Sequence, residues 1–251
     1  MKKLLLFLAL AVLPTLAMGA STSHPLDDIS PALSDKESLQ RGAALFTNYC
    51  LGCHSMEYMR HKHIQEYLEI PVELYAENLI FNDQGVGDLM KIAMPKEQAG
   101  NWFGQAPPDL TLEARLRGAD WIYSYLRGFY QDETRPMGVN NVVFPNVGMP
   151  HVLDKLQGLC AEEPKIGSRP SMDPLSGNVK NGTVCGEWVF EGSMDPAEFD
   201  RAMFDLTNFL VYVGEPAQVV RKELGIYVLI FIAIFFVFAY LLNREYWKDV
   251  H

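Results

Sequence analysis

Apolar positions fall along this chain in three distinct patterns. Residues 224–242, LGIYVLIFIAIFFVFAYLL, are nineteen consecutive positions without a charge. A helix of that length reaches about 29 Å, enough to cross a hydrocarbon core of about 30 Å, so a membrane span is predicted there. Residues 4–13 form a shorter apolar run, only about 15 Å of helix and too short to span. Elsewhere the apolar residues recur with a helical period. Leu39, Ala43, Phe46 and Tyr49 or Cys50 follow a Ser34-x-x-Glu37 capping box. Phe199, Met203, Leu206, Leu210 and Val213 follow Asp195-Pro196, with Glu198 in the first turn, and Gly214-Glu215-Pro216 ends that helix. Residues 111–117 and 120–129 predict two helices broken at Gly118, and residues 61–88 only short helices. An irregular arm at 21–33, a loop at 100–108 and an extended loop at 138–150 complete the pattern. Residues 159–189, rich in Gly and Pro, have no period and read as an ordered insertion.

The two ends set the compartment. Lys2 and Lys3 precede the short apolar run, and Pro14 and Ala17-Met18-Gly19-Ala20 follow it, which is the pattern of a cleaved secretory signal over residues 1–20. The predicted division is then an exported domain at 21–215, a linker at 216–223, the span at 224–242 and a cytoplasmic tail at 243–251. Basic residues flank the span on both sides, so orientation rests on the signal rather than on the loops. The expected location is a bacterial inner membrane crossed once, with the domain in the periplasm. Residues 21–223 hold 17 of the 21 basic and 29 of the 31 acidic side chains, a balance of −12. That sign excludes nucleic acid as a partner and suits a basic protein.

The chemistry is concentrated in Cys50-Leu51-Gly52-Cys53-His54. Two thiols three positions apart, followed at once by a histidine, form the c-type haem attachment motif. Each thiol adds across one vinyl group, and the adjacent imidazole lies under the iron as a ligand. The motif occurs once, so one haem c is expected. A redox dithiol or half a zinc site would use the same CxxC, but neither a βαβ frame nor a second well-spaced Cys/His pair accompanies it. Electron transfer needs a sixth ligand. Met149, in the stiff loop Pro145-Asn146-Val147-Gly148-Met149-Pro150, is favoured by spacing; Met94, His61, His63 and His151 are alternatives. Cys160 and Cys185, the remaining cysteines, are expected to form a disulfide in an oxidising compartment.

The set CLGCHSMEYMRHKH, APPDLT, FPNVGMPHVL and FLVYVGEPAQVVRKELG, in that order before a single span, resembles the cytochrome c1 family, the haem subunits of ubiquinol–cytochrome c oxidoreductase (the bc1 complex). The short ending EYWKDVH suits a bacterial form. The resemblance implies a mainly α, class I cytochrome c-type domain with loop insertions and one carboxy-terminal transmembrane helix. It implies Cys50 and Cys53 as attachment sites, His54 and Met149 as axial ligands, and Pro107, Pro108, Asp109 and Leu110 along the haem pocket, with Arg117 on a propionate. It further implies cytochrome b and a Rieske protein as partners in a dimeric complex, and a soluble cytochrome c as acceptor. This chain would be the electron-transfer subunit, with no quinol site of its own. A tethered cytochrome subunit of a terminal oxidase or nitric-oxide reductase is one alternative, although those usually carry an amino-terminal anchor. A haem-based sensor or peroxidase, with an open sixth position, is another.

Overall fold

The computed structural model describes residues 25–167 and 185–248; the signal segment and most of the insertion lie outside them. Helix α1 (Lys36–Leu45) starts one residue later than its sequence suggests. Asp35, not Ser34, is the cap, its carboxylate accepting from Ser38 N at 3.0 Å. Asp serves as well as Ser at this position and lies one residue nearer the first turn. The helix runs without interruption into a π-helical turn (Phe46–Cys50), which ends on the first cysteine of the attachment motif. Short elements follow: β1 (Met56–Arg60), α2 (His61–Tyr67), α3 (Val72–Leu79), β2 (Leu89–Met90), α4 (Lys96–Phe103), α5 (Glu113–Arg117) and α6 (Ala119–Arg127), the last two parted by Gly118 as expected. Then come β3 (Phe129–Gln131), β4 (Val139–Asn141), α7 (Asp154–Gln157), β5 (Gly158–Cys160), β6 (Trp188–Glu191), α8 (Pro196–Gly214) and α9 (Gln218–Tyr246).

Helix α8 is the spine of the domain. Asp195 and Glu198 form a reciprocal capping box around Pro196, and the predicted stripe Phe199, Met203, Leu206, Leu210 and Val213 is buried. Its closest neighbour is α1. At their crossing Gly42 lets the backbones approach so closely that an added Cβ would strike the Asp205 carbonyl oxygen and lie 2.7 Å from Phe209 Cβ. Polar groups fix the register of the pair. Asp205 accepts from Ser38 Oγ and Arg41 Nε, each at 2.6 Å, and Asn208 Nδ2 donates to Ser38 Oγ at 2.8 Å. The arm before α1 is irregular but tethered. Asp27 N donates to Ser124 Oγ, Ile29 N to Asp120 Oδ1 and Ala32 N to Asn208 Oδ1, while the wholly buried Arg127 reaches Asp27 at 2.8 Å and Asp200 at 2.5 Å.

Two small sheets accompany the helices, the first of them contributing Met56, Met59 and Met90 to the same core, and neither was visible as a period. β1 pairs antiparallel with β2, and a four-stranded sheet runs in the order β4-β3-β5-β6, with only β3 and β5 parallel. The segment read as an extended loop, 138–150, therefore contributes β4, and the described ends of the insertion contribute β5 and lead into β6. Strands of three or four residues are too short to show alternation. The loop expected from residue 100 begins inside α4. A disulfide joins Cys160 to Cys185, with Cα atoms 5.4 Å apart, and ties β5 to the chain entering β6.

Helix α9 begins at Gln218, inside the segment read as a linker, and none of its residues is buried against the domain. Its 29 residues span about 44 Å, so it outruns the hydrocarbon core at its ends. Among the described residues it is the one helix long and apolar enough to cross a membrane. The fold is mainly α with one such carboxy-terminal helix.

Because the atoms facing Gly42 are backbone and a Cβ, neither can swing aside. Gly42→Ala should destabilise the domain by about 1–3 kcal/mol, read by denaturant unfolding, despite the better helix propensity of alanine.

Candidate haem site

The attachment motif leaves the π turn as a tight coil in which Cys53 N and His54 N both donate to Cys50 O, at 3.0 and 2.9 Å. Cys50, Cys53 and His54 line one cavity of about 1250 Å³, counting its open mouth. His54 Nδ1 lies 2.8 Å from the Pro108 carbonyl oxygen, which can only accept. Nδ1 therefore carries the proton, and the Nε2 lone pair is left for a metal. Burial lowers the His54 pKa, the Pro108 carbonyl pulling the other way, so the imidazole is held neutral as a ligand requires. Burial, and then Cys53, pushes the Cys50 thiol up to about 12. A redox CxxC shows the reverse, a depressed thiol pKa, so Cys50 lacks the environment of a dithiol-exchange nucleophile.

Met149 lines the same cavity. Its loop is stapled at several points. Asn146, at φ 64°, is in the left-handed region; its backbone N donates to Asn140 Oδ1 at 2.8 Å, and Arg135 holds its carbonyl oxygen at 3.0 Å. Gly148 passes so close to α4 that a Cβ would lie 2.6 Å from the Phe103 carbonyl oxygen. The thioether itself accepts from the Tyr125 hydroxyl at 3.3 Å. Burial raises the Tyr125 pKa, with Arg117 opposing, so the phenol keeps its proton.

The other candidates for a sixth ligand are elsewhere. Met94 and His63 are not on the cavity wall. His61 is buried between the Tyr75 hydroxyl and Gln84 Oε1, at 3.1 and 3.2 Å. His151 stacks on Phe129 with centroids 4.7 Å apart, and its Nε2 lies 3.1 Å from the Gly158 carbonyl oxygen.

Pro107, Pro108 and Leu110 line the cavity, but Asp109 does not. Its carboxylate is turned into the chain, accepting from Glu57 N at 2.6 Å, Ser55 Oγ at 3.0 Å and Thr111 N at 2.9 Å. Asp109 thus pins the segment that carries Pro108 to the residues following His54. Arg117 is on the wall, bound to Glu113 at 2.9 Å, with its guanidinium 4.4 Å from the Trp121 ring centre and 5.6 Å from that of Phe144. The pattern of single motifs missed Trp121, Tyr125 and Phe144. The four-residue spacing of Glu113, Arg117, Trp121 and Tyr125 was the signal available, and all four line the cavity.

A largely apolar cavity bordered by a CxxC pair, a neutral imidazole with a free Nε2 and a thioether suits a haem with six-coordinate iron. A family model described as the Cytochrome C1 family matches residues 31–159 and 183–250. This chain belongs to the cytochrome c1 family. Among its relatives, cytochrome c1 of Allochromatium vinosum is 46% identical over 251 residues, the whole of both chains. A protein of Nitrosomonas europaea named ammonia monooxygenase gamma subunit is 42% identical over 99% of this chain and all of its own. Cytochrome c1 of Cereibacter sphaeroides is 26% identical over 96% of this chain and 93% of its own. Family members bind haem c and act as electron-transfer subunits of the bc1 complex, and this cytochrome c1 family member has the site chemistry that role needs.

Removing the Asp109 carboxylate leaves the Glu57 and Thr111 amides without their acceptor. Asp109→Ala should cost about 1–3 kcal/mol in denaturant unfolding while leaving both cysteines competent for attachment, read by the retention of haem on denaturing gels.

Proposed function

We propose that this protein is the membrane-anchored monohaem cytochrome of a bacterial ubiquinol–cytochrome c oxidoreductase, relaying single electrons from a Rieske iron–sulfur protein to a soluble basic cytochrome c. Cys50 and Cys53 would hold the haem, and His54 Nε2 and Met149 Sδ would be the protein ligands to its iron. When bound, haem c supplies a one-electron ferric–ferrous couple, and a His/Met ligand pair places it at higher potential than two histidines would. The observation that carries this reading is the one cavity bordered by the CxxC pair, by a His54 fixed in the ligating tautomer by Pro108, and by Met149. The protein's own work is to bind, orient and exclude water. Pro107, Pro108 and Leu110 form one wall, and Arg117 is the cation available to a propionate. With both His54 and Met149 as ligands, the iron would have no open position for peroxidase or sensor chemistry.

The domain is periplasmic and crosses the inner membrane once through α9, with cytochrome b and the Rieske protein as its partners in a dimeric complex. The surplus of acidic over basic side chains supports steering of a basic acceptor. That surplus is not evenly available. Of the acidic stretch after the motif, Glu57, Glu66 and Glu69 are already paired with Lys96, Lys62 and Lys36. Glu73 and Glu77, together with acids elsewhere on the surface, are left to attract the partner.

One observation favours a second reading: a relative 42% identical over its whole length is named as a subunit of ammonia monooxygenase. The same tethered haem domain would then serve a different membrane complex. Mild detergent extraction followed by identification of the co-purifying subunits separates the two. A two-haem cytochrome b and a Rieske protein are expected; monooxygenase or oxidase subunits in their place would overturn the first reading.

The ligand assignment has its own test. Met149→His leaves both thiols in place, so the haem should stay attached. The stronger nitrogen donor to ferric iron should lower the potential by several tenfold steps, each about 59 mV for one electron. Quinol-driven reduction of cytochrome c should slow severely while the complex still assembles. The matching change at Met94 should leave the potential and the Met–iron charge-transfer band unmoved.

A further inference from the structure

The Met149 sulfur takes a hydrogen bond from a residue that no motif marks: the Tyr125 hydroxyl donates to it at 3.3 Å. The phenol is locked in place. Its ring lies flat against Trp121, with centroids 4.9 Å apart and 9° between the planes, and meets Phe129 edge-on at 5.4 Å. Its backbone carbonyl accepts from Asn141 Nδ2 at 2.8 Å, which ties this turn of α6 to β4. Trp121 is itself held under the Arg117 guanidinium, at 4.4 Å. A stack of side chains along α5 and α6 therefore ends on one hydroxyl aimed at the sulfur.

A thioether has two lone pairs and rotates easily about its terminal bonds. A hydroxyl that occupies one lone pair settles where the other points. The same hydrogen bond draws electron density from the sulfur, making it a weaker donor to ferric iron; hydrogen bonding of this kind to a ligand is one of the levers on potential. We infer that Tyr125 is a positioning residue for Met149, its hydroxyl orienting the thioether for ligation and raising the potential of the site. This inference rests on the reading of Met149 as the distal ligand.

The test uses the full-length, haem-loaded protein in detergent. Tyr125→Phe keeps the ring stack and removes only the hydroxyl. The midpoint potential should fall, shifting the one-electron equilibrium about twofold to tenfold toward the ferric form, the upper limit being about 59 mV. The Met–ferric charge-transfer band should persist but move. An unchanged or higher potential would overturn the inference. Met149→Leu, measured in parallel, separates the two claims. If the band survives in Met149→Leu, the ligand reading fails. If the band is lost there while Tyr125→Phe leaves the potential unmoved, only the role of Tyr125 fails. A measurement on the unaltered protein decides the matter even where a variant does not fold. In the diamagnetic ferrous state, proton NMR should show a slowly exchanging Tyr125 hydroxyl with a cross-peak to the Met149 methyl, and absence of that cross-peak would count against the contact.

Discussion

The near-contact of α1 and α8 at Gly42 governs the placement of everything else in the domain. A glycine within a helix costs about 1 kcal/mol relative to alanine, and here that cost is offset by two helices packed backbone to backbone. The consequences extend in both directions along the chain. α1 passes directly into the π-helical turn and the attachment motif, so its seating on α8 fixes where Cys50, Cys53 and His54 begin. Asp205, buried at the crossing, is tolerated because Arg41 and Ser38 supply its hydrogen bonds, and an unpaired charge there would be costly.

The haem wall is then assembled from segments that share no secondary structure. His54 is oriented by a carbonyl 54 residues later, and the loop bearing that carbonyl is held by Asp109. The Met149 loop is held by Asn140, Arg135 and the end of α4. Most of these ties are hydrogen bonds to backbone, joined by the Ser55–Asp109 side-chain pair and the close packing of Gly148 on Phe103, so they fix the path of the main chain on both sides of the cavity. Such supporting groups decide whether a ligand set is tight or loose.

Much of this was legible in the sequence, and the reasons differ by element. The Cys50, Cys53 and His54 side of the cavity stood out because the CxxCH spacing is fixed and local in the chain. The stripe of α8 and the uncharged run in α9 were legible because each is a long periodic or apolar pattern that resolves into one long helix. Met149 stood out for the Gly and Pro around it. Asp109 was misjudged as pocket lining because its position between Pro108 and Leu110 says nothing of where its side chain turns. The backbone amides of Glu57 and Thr111 decide that, and amides leave no trace in composition. The four-stranded sheet was missed because its strands are too short to alternate and are recruited by partners far along the chain. Tyr125 was missed for a different reason: an aromatic residue on a helix next to a core reads as packing until the atom its hydroxyl reaches is known.

Helix α9 is tied to the domain that precedes it. α8 ends at Gly214 and α9 begins at Gln218, and the short link between them carries Glu215. Its carboxylate lies 2.8 Å from Arg221 of α9 and 3.7 Å from Arg115 of α5, the helix that also presents Glu113 and Arg117 to the cavity. Gly214 is close-packed against the same Arg115, where an added Cβ would lie 3.2 Å from its Cγ. Both arginines are more than half exposed, so the ion pairs alone contribute little to stability. Geometry is what they add. A three-residue link leaves little slack between α8 and α9. Two arginines on one carboxylate, one from each side of the link, further restrict rotation about it. The α5 side of the cavity is therefore held at a restricted angle to α9, so the cavity and the long apolar helix are coupled through one carboxylate.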